Sequence, residues 1–168
     1  MNVVGLDLSL TATGLARANG TFTLKTTKRG MDRLNWFRYY LAAEAQGADL
    51  VAIEGYAFGR PNQACHLGEL GGVVRLELWR ADIPYVDIPP ATVKKYATGK
   101  GNASKGMVLE AASKRSGLDF AGDDNRADAW WLRALALDHY GEPVVSMPTV
   151  NRSALASVTW PELAEVMA

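Results

Sequence analysis

The stretch Val3-Val4-Gly5-Leu6-Asp7-Leu8 carries the most information about the fold, because a single acid stands inside an apolar run. The density of apolar residues predicts a buried strand over residues 2–9. An ionised carboxylate at the edge of a core is unfavourable unless a cation offsets its charge or turn amides donate to it. Asp7 is therefore a candidate functional acid, with hydrogen bonding to turn amides as the simpler alternative.

Two other acids occupy comparable positions. Glu54 ends the apolar run Leu50-Val51-Ala52-Ile53, and Asp128 opens the apolar segment Ala127–Leu132. Asp124 and Asn125 precede Asp128 closely. Carboxylates supplied by separate elements predict a site for a hard cation such as Mg²⁺, and hence an enzyme acting on phosphate esters. Taken singly, Glu54 could cap a glycine loop, and the acids near residue 128 could complement a helix dipole.

Hydrophobic periodicity and turn residues predict an α/β fold. Strands are predicted at residues 2–9, 12–18, 20–26, 50–54 and 83–88. Helices are predicted at residues 31–46, 62–80, 91–97, 105–115 and 123–139. Asn19-Gly20 predicts a tight turn, and Ser104 is a predicted helix cap. The order of elements predicts a mixed sheet, three antiparallel strands followed by parallel strands, flanked by helices.

The chain divides into a predicted domain at residues 1–141 and a C-terminal tail or extension at residues 142–168. The second segment holds three of the seven prolines and shows no clear period. We expect it to fold across the surface through Leu155, Val158 and Trp160.

Composition is that of an ordinary globular chain, with 48% hydrophobic and 21% charged residues. The single Cys65 excludes an intramolecular disulfide and predicts a reducing, cytoplasmic location. Neither a signal peptide nor a membrane span is expected. Formal net charge is zero, but Lys94 to Arg115 contains six basic residues and one acid, followed by an acid-rich segment. This predicts a basic patch beside an acidic cluster, although an ordinary mixed surface has the same charges.

Four motifs in order carry a family resemblance. Asp7-Leu8-Ser9-Leu10-Thr11-Ala12-Thr13-Gly14 and Ala52-Ile53-Glu54 resemble the first two motifs of the RuvC-type Holliday-junction resolvases, within the RNase H-like superfamily. The segment from Val93-Lys94 through Gly99 and Gly101 to Lys105 resembles the family's basic segment. Ala127-Asp128-Ala129 resembles its last motif. The resemblance covers about residues 1–140.

The resemblance implies a homodimer that cleaves four-way DNA junctions with Mg²⁺, for which Mn²⁺ can substitute, and with two ions per active site. The implied metal ligands are Asp7, Glu54 and Asp128. The family carries Asp or His three positions before the last aspartate, where this chain has Asn125. Either Asp124, one residue earlier, or the Asn125 carbonyl oxygen is the implied fourth ligand.

The resemblance also implies roles for basic and aromatic residues. Lys94 and Lys105 would approach the scissile phosphate, Lys95 and Lys100 would hold flanking phosphates, and aromatic rings would stack on opened bases. The implied aromatic residues are Tyr56 and Phe58, whose alternative is packing beneath a loop.

Three alternatives remain at this stage. One is a broader nuclease that also cuts forks and flaps, a property that would suit a phage-encoded member. Another, motivated by Asn125, is a junction-binding protein with weakened catalysis. The third is an actin-like or sugar-kinase-like ATP-binding domain, which the missing glycine-rich phosphate motif near Asp128 disfavours.

Overall fold

The computed structural model describes residues 1–56 and 61–163, and for residues 61–63 it describes the backbone alone. Its elements follow the predicted order. The strands are β1 (Val3–Asp7), β2 (Ala12–Arg17), β3 (Gly20–Lys25), β4 (Leu50–Glu54) and β5 (Tyr85–Ile88). The helices are α1 (Gly30–Ala45), α2 (Pro61–Arg80), α3 (Pro90–Thr98), α4 (Lys105–Ser116), α5 (Asp124–His139) and α6 (Thr149–Arg152), followed by a 3₁₀ turn at Leu155–Ser157.

The strands form one mixed sheet in the order β3-β2-β1-β4-β5. β1, β2 and β3 pair antiparallel, whereas β1–β4 and β4–β5 pair parallel. The predicted fold class is therefore confirmed. β1 and β5 are shorter than predicted, because apolar density marks the buried stretch rather than the hydrogen-bonded ladder. The turn between β2 and β3 consists of Ala18 and Asn19, and Gly20 already pairs with Arg17.

Each sheet face packs against its own group of helices. Alternate residues of the strands, including Val4, Leu6 and Ile53, pack against α1 and α2. The opposite face, including Val3, Leu50 and Ala52, packs against α3, α4 and α5. Because side chains alternate along a strand, Asp7 and Glu54 project towards the α5 side, as Val3 and Leu50 do.

Side chains cap the N-termini of α4 and α5. The Ser104 hydroxyl accepts a hydrogen bond from the Met107 amide, which confirms the predicted cap of α4. Asp123 caps α5 by accepting from the Arg126 amide, and it also accepts from the Thr23 hydroxyl of β3 at 2.6 Å. The start of α5 is thus tied to the sheet.

Residues 142–163 pack against the domain rather than trailing away from it. Met147, Ala154 and Val158 are buried in the α5-side core. The Trp160 ring stacks on His139 with centroids 4.1 Å apart. The boundary at residue 141 stays a prediction. In the part of the chain that the structure describes, helices are too short or too polar to cross a membrane.

Candidate active site

Asp7 and Glu54 end two adjacent parallel strands. Val3 pairs with Leu50 and Gly5 with Ala52, so the same register places Asp7 beside Glu54. Both side chains leave the sheet on one face, at the carboxyl edge of the strands. Adjacent carboxyl ends of parallel strands are where open α/β sheets commonly hold their ligands.

Two glycines allow α5 to lie directly on this face. A Cβ atom added to Gly5 would lie 2.1 Å from the Ala129 carbonyl oxygen, and one added to Gly14 would lie 2.0 Å from the Asn125 carbonyl oxygen. Such distances are far below van der Waals contact, so α5 can approach the sheet this closely only where side chains are missing. The close packing brings Asp128 to the edge where Asp7 and Glu54 end.

The chain after Asp7 is held by a local hydrogen-bonded loop. The Thr13 hydroxyl donates to the Ser9 carbonyl at 3.0 Å and accepts from the Ser9 amide at 3.1 Å. Thr13 is fully buried. The turn between β1 and β2 therefore has a defined shape, which fixes the direction of β1 where it presents Asp7.

Five predicted site residues line one cavity of about 190 Å³. Three carboxylates come from β1, β4 and α5, and two lysines come from α3 and α4. The cavity is lined by Asp7, Glu54, Asp128, Lys94 and Lys105, together with Pro90, Val93 and Val108. The sequence motifs, separated by up to 121 positions, thus converge on one place.

Burial raises the pKa of all three carboxyl groups that line the cavity. Burial, followed by the charges of Glu54 and Asp128, raises the pKa of Asp7 well above its usual value. Burial also raises the pKa of Glu54, although a hydrogen bond with Asp7 and the charges of the two lysines act in the opposite direction. Burial and the charge of Glu54 raise the pKa of Asp128 to about 7. When all of these groups are ionised, the three carboxylates outnumber the two lysines that line the cavity.

This excess of negative charge suits a hard cation. Within the described residues, no three His, Cys, Asp or Glu side chains converge into a ready-made ion cage. The carboxylates instead surround an open volume. Mg²⁺ typically binds few protein carboxylates and completes its coordination with water and substrate phosphate. The oxygen-only donor set and the open volume fit such an ion.

Asp124 contacts the site through Lys105. The Lys105 ammonium donates to an Asp124 carboxylate oxygen at 2.6 Å. This hydrogen bond raises the pKa of Lys105 and lowers the pKa of Asp124. Asn125 packs its backbone carbonyl against Gly14. The choice between Asp124 and Asn125 as fourth ligand remains a prediction.

Tyr56 follows Glu54 and is held by Arg75. The Arg75 guanidinium lies 4.8 Å from the Tyr56 ring centroid and donates to its hydroxyl at 2.9 Å. Arg75 also forms an ion pair with Asp87 of β5. Tyr56 keeps 38% of its surface exposed, so a stacking role remains open. Phe58, the other predicted aromatic contact, lies outside the described residues.

Lys95 and Lys100, the other predicted DNA contacts, are not among the residues that line the cavity. Lys95 is partly buried on α3, whereas Lys100 is exposed in the loop between α3 and α4. A larger open groove of about 730 Å³ runs between α4 and residues 144–146. Its lining contains none of the carboxylates from β1, β4 or α5, and we assign the chemistry to the smaller cavity for that reason.

Sequence reasoning missed the supporting residues. Arg75 gives no local signal beyond a charge on a partly apolar helix. Gly14 was noted only as part of a motif, and its function in admitting α5 depends on a contact with residue 125. Trp130 and Trp131 of α5 are both buried.

Solved structures with the same fold include two of Thermus thermophilus RuvC, one alone and one in complex with a Holliday junction substrate. They superpose with TM-scores of 0.67 and 0.68, at 24% and 23% identity, over 88% of this chain and 99–100% of theirs. A fowlpox virus resolvase solved with Holliday junction DNA is more distant, with a TM-score of 0.52 and 14% identity over 84% of this chain and 99% of that chain. The fold is that of the junction resolvases within the α/β class.

Proteins with similar sequences identify the family more specifically than the shared fold does. The crossover junction endodeoxyribonuclease RuvC of Nocardia farcinica is 32% identical over 157 residues, covering 83% of this chain and 80% of that protein. A second relative of the same name, from Sorangium cellulosum, is 36% identical over 92 residues, covering 54% of this chain and 50% of its own length. No protein-family model matches the chain. The chain belongs to the RuvC family of crossover junction endodeoxyribonucleases.

Proposed function

We propose that this chain is a structure-selective endonuclease that resolves four-way DNA junctions by metal-dependent phosphodiester hydrolysis. The observation that carries the proposal is the cavity in which Asp7, Glu54 and Asp128 face Lys94 and Lys105. Three carboxylates suit metal binding, and two ammonium groups suit an anionic substrate. Family membership supports the same activity.

Mg²⁺ is the proposed cofactor, with Mn²⁺ able to replace it and two ions in each site. Asp7, Glu54 and Asp128 would hold them, with Asn125 or Asp124 as the fourth ligand. Bound in this way, the ions would supply an activated water and charge stabilisation at the phosphate. The raised pKa values of Asp7 and Asp128 support this assignment, because a cation would offset both the burial of their charges and their repulsion by neighbouring carboxylates.

The lysines act on the substrate side. Lys94 and Lys105 hold the phosphate that is cleaved and offset the charge that grows on its oxygens. Asp124 orients the Lys105 ammonium through their 2.6 Å hydrogen bond. Lys95 and Lys100 contact neighbouring phosphates, and the exposed face of Tyr56 stacks on a base.

A second copy of the chain is the proposed protein partner. Gly68, Gly72 and Leu76 recur every four residues, so they share one face of α2. A Cβ atom added to either glycine would meet no described atom within 4 Å. Leu76 is 53% exposed, and Trp79, one turn further, is 71% exposed. This face, the α2 stripe, lies opposite the buried Leu70 and Val74 and combines close backbone approach with apolar anchors.

The test is cleavage of a labelled four-way junction in Mg²⁺, with linear duplex, flap and fork substrates beside it. We expect paired symmetric nicks in the junction and a loss of at least about 100-fold in Asp7→Asn, as for removal of a charged group that acts in the transition state. Cleavage of duplex at the junction's rate would contradict structure selectivity.

Two variations of this function are separated by the same assay. Equal cutting of flaps and forks would make the chain a broader branch nuclease. Tight junction binding without cleavage in Mg²⁺ or Mn²⁺ would make it a binding protein, and would point to Asn125 as the weakened position.

A further inference from the structure

The C-terminal segment, defined here as residues 143–163, lies across α3 and joins it to α5. Its α6 and 3₁₀ turn both contact α3. Ala154 is 1% exposed and Val158 is 9% exposed, both within the α5-side core. The segment is therefore packed against the helix that supplies Lys94 to the cavity.

Asn151 caps the end of α3. It is 5% exposed, and its side-chain amide donates to the Tyr96 carbonyl at 2.7 Å. Tyr96 lies in the last turn of α3, where carbonyl groups have no partner within the helix. A Cβ atom added to Gly99, where the loop to Lys105 begins, would lie 3.8 Å from the Asn151 side-chain oxygen. One side chain from the C-terminal segment thus fixes the end of the helix that carries Lys94.

A buried polar cluster holds the same face of α3. The Tyr96 hydroxyl donates to Asp138 of α5 at 2.9 Å, and Arg152 of α6 donates to the same carboxylate oxygen at 3.0 Å. Asp138 is 3% exposed, and a buried carboxylate with a partner removed is strongly destabilising. One turn earlier, the Thr92 and Ser157 hydroxyls are hydrogen bonded at 3.0 Å.

Lys94 lies on the opposite face of α3. Thr92 and Tyr96 are four positions apart and share a helix face, whereas Lys94, two positions from each, points away from them. That opposite face lines the catalytic cavity. α3 has only nine residues and its N-cap, Pro89, supplies no side-chain hydrogen bond. A helix of this length depends on tertiary contacts for its stability.

We propose that Asn151 and Ser157 are positioning residues for cleavage, which act by holding α3 so that Lys94 reaches the cleaved phosphate. The C-terminal segment then supports α3 during cleavage and also covers the core. We call Asn151 and Ser157 the brace. The inference rests on the proposed function, since Lys94 is the residue through which the brace acts.

The test is a double-mutant cycle between the brace and Lys94. Asn151→Ala, the milder Ser157→Ala and Lys94→Ala are prepared singly and in combination. Val150→Ala is the matched control, because Val150 is adjacent to Asn151 but 61% exposed. kcat and KM for junction cleavage are measured in Mg²⁺, well below each variant's Tm, and are corrected for the folded fraction.

We expect each brace variant to lower kcat about fivefold while KM stays within about twofold, a size typical of coupled neighbouring groups. Adding a brace substitution to Lys94→Ala should lower kcat no further. Val150→Ala should match the wild type. Amide hydrogen exchange at residues 93–98 should rise in Asn151→Ala, whereas the core of α5 should stay protected.

Several results would overturn the inference. One is a multiplicative effect of Asn151→Ala and Lys94→Ala. Another is a full kcat in Lys94→Ala, because the brace would then have nothing to act through. Unchanged exchange at residues 93–98 would reject it without reference to activity. A wild-type protein that binds but never cuts would instead reject the proposed function, and the exchange result would still report on the brace.

Discussion

Burial and the charge of Glu54 disfavour the ionised form of Asp128, so the site should destabilise the metal-free protein near neutral pH. The pKa of Asp128 is raised to about 7 in the folded chain, against about 4 in an unfolded one. A raised folded-state pKa means that the folded protein binds the proton more tightly. The stabilising contribution is complete below about pH 4 and is lost as the pH rises through about 7.

We therefore expect the Tm of the metal-free protein to fall by several degrees between about pH 5 and about pH 8, and Asp128→Asn to make this fall shallower. Differential scanning fluorimetry in EDTA measures both. Saturating Mg²⁺ should raise the wild-type Tm at pH 8 and should raise that of Asp128→Asn much less. An equal fall of Tm with pH in the wild type and in Asp128→Asn would contradict this account.

We expect substitutions at Asn125 and at Asp124 to affect cleavage in different ways. Asn125→Asp adds a carboxylate three positions before Asp128, on the same helix face, and ligand charge strengthens cation binding. We expect it to lower the Mg²⁺ concentration for half-maximal cleavage by roughly threefold or more. Asp124→Asn removes the partner of Lys105. It should lower kcat while leaving the Mg²⁺ requirement unchanged.

Magnesium titrations of cleavage rate distinguish the two positions. A raised Mg²⁺ requirement in Asp124→Asn would make Asp124 a ligand. An Asn125→Asp variant with wild-type Mg²⁺ dependence would show that the side chain at position 125 stands away from the ions. Asn125→Gln, which changes length without adding charge, is the matched control.

The acids were predictable from sequence and their partners were not. Asp7 and Glu54 stand out because each interrupts or ends an apolar run, where a charge requires an explanation. The ion pair between Lys105 and Asp124 joins residues 19 positions apart through flexible side chains. Its formation depends on how α4 and α5 pack, and neither residue differs in sequence from an ordinary surface charge.

The packing of α5 on the sheet is the contact between elements that completes the site. In Gly14→Ala the new Cβ atom would lie 2.0 Å from a backbone oxygen of α5, and backbone cannot move aside as a side chain can. We expect a loss of about 1–3 kcal/mol in the free energy of unfolding. The cleavage rate should fall by more than the loss of stability explains, because displacing α5 from the sheet carries Asp128 away from Asp7.

Urea unfolding and cleavage at low temperature measure the two effects. Gly106→Ala is the control, because the nearest atom to its added Cβ is 4.0 Å away and alanine favours a helix. It should be as stable as the wild type or slightly more stable. A Gly14→Ala protein with wild-type stability would mean that α5 lies further from β2 than the structure places it.

Long periodic elements were predictable, and the C-terminal segment was only partly so. Leu34, Phe37 and Leu41 on α1 mark a single buried stripe, which the sequence shows directly. α6 has four residues, too few for a hydrophobic period. Its attachment depends on polar partners that are distant in sequence. Asn151 binds Tyr96, 55 positions away, and Arg152 binds Asp138, 14 positions away. Local patterns do not encode such pairings.

The whole chain carries no net charge, so its affinity for DNA must come from how charge and surface are arranged rather than from the total. Lys94 and Lys105 line the cavity, and the α2 stripe is on a helix that packs against the opposite sheet face. A two-fold dimer formed through the stripe would present two cavities to one substrate. Four-way junctions have matching strands related by such a symmetry, so the dimer would double the basic surface and pair the two cuts.

The α2 stripe gives the corresponding prediction. Leu76→Glu places a charge on an exposed apolar residue of the stripe. In size-exclusion chromatography with light scattering, we expect the wild type to be the proposed dimer and Leu76→Glu to be a monomer. Leu118→Glu is the control, because Leu118 is 45% exposed and lies between α4 and α5. It should stay dimeric.

Cleavage of a supercoiled, cruciform-bearing plasmid reports the consequence for function. The wild type should make two cuts within one binding event and release linear product, whereas Leu76→Glu should leave nicked circles, because a monomer cuts one strand and dissociates before a second cut. Linear product from a monomeric Leu76→Glu would show that pairing of the cuts does not need the dimer. A dimeric Leu76→Glu would move the interface away from α2, while leaving the assignment of Asp7, Glu54 and Asp128 intact.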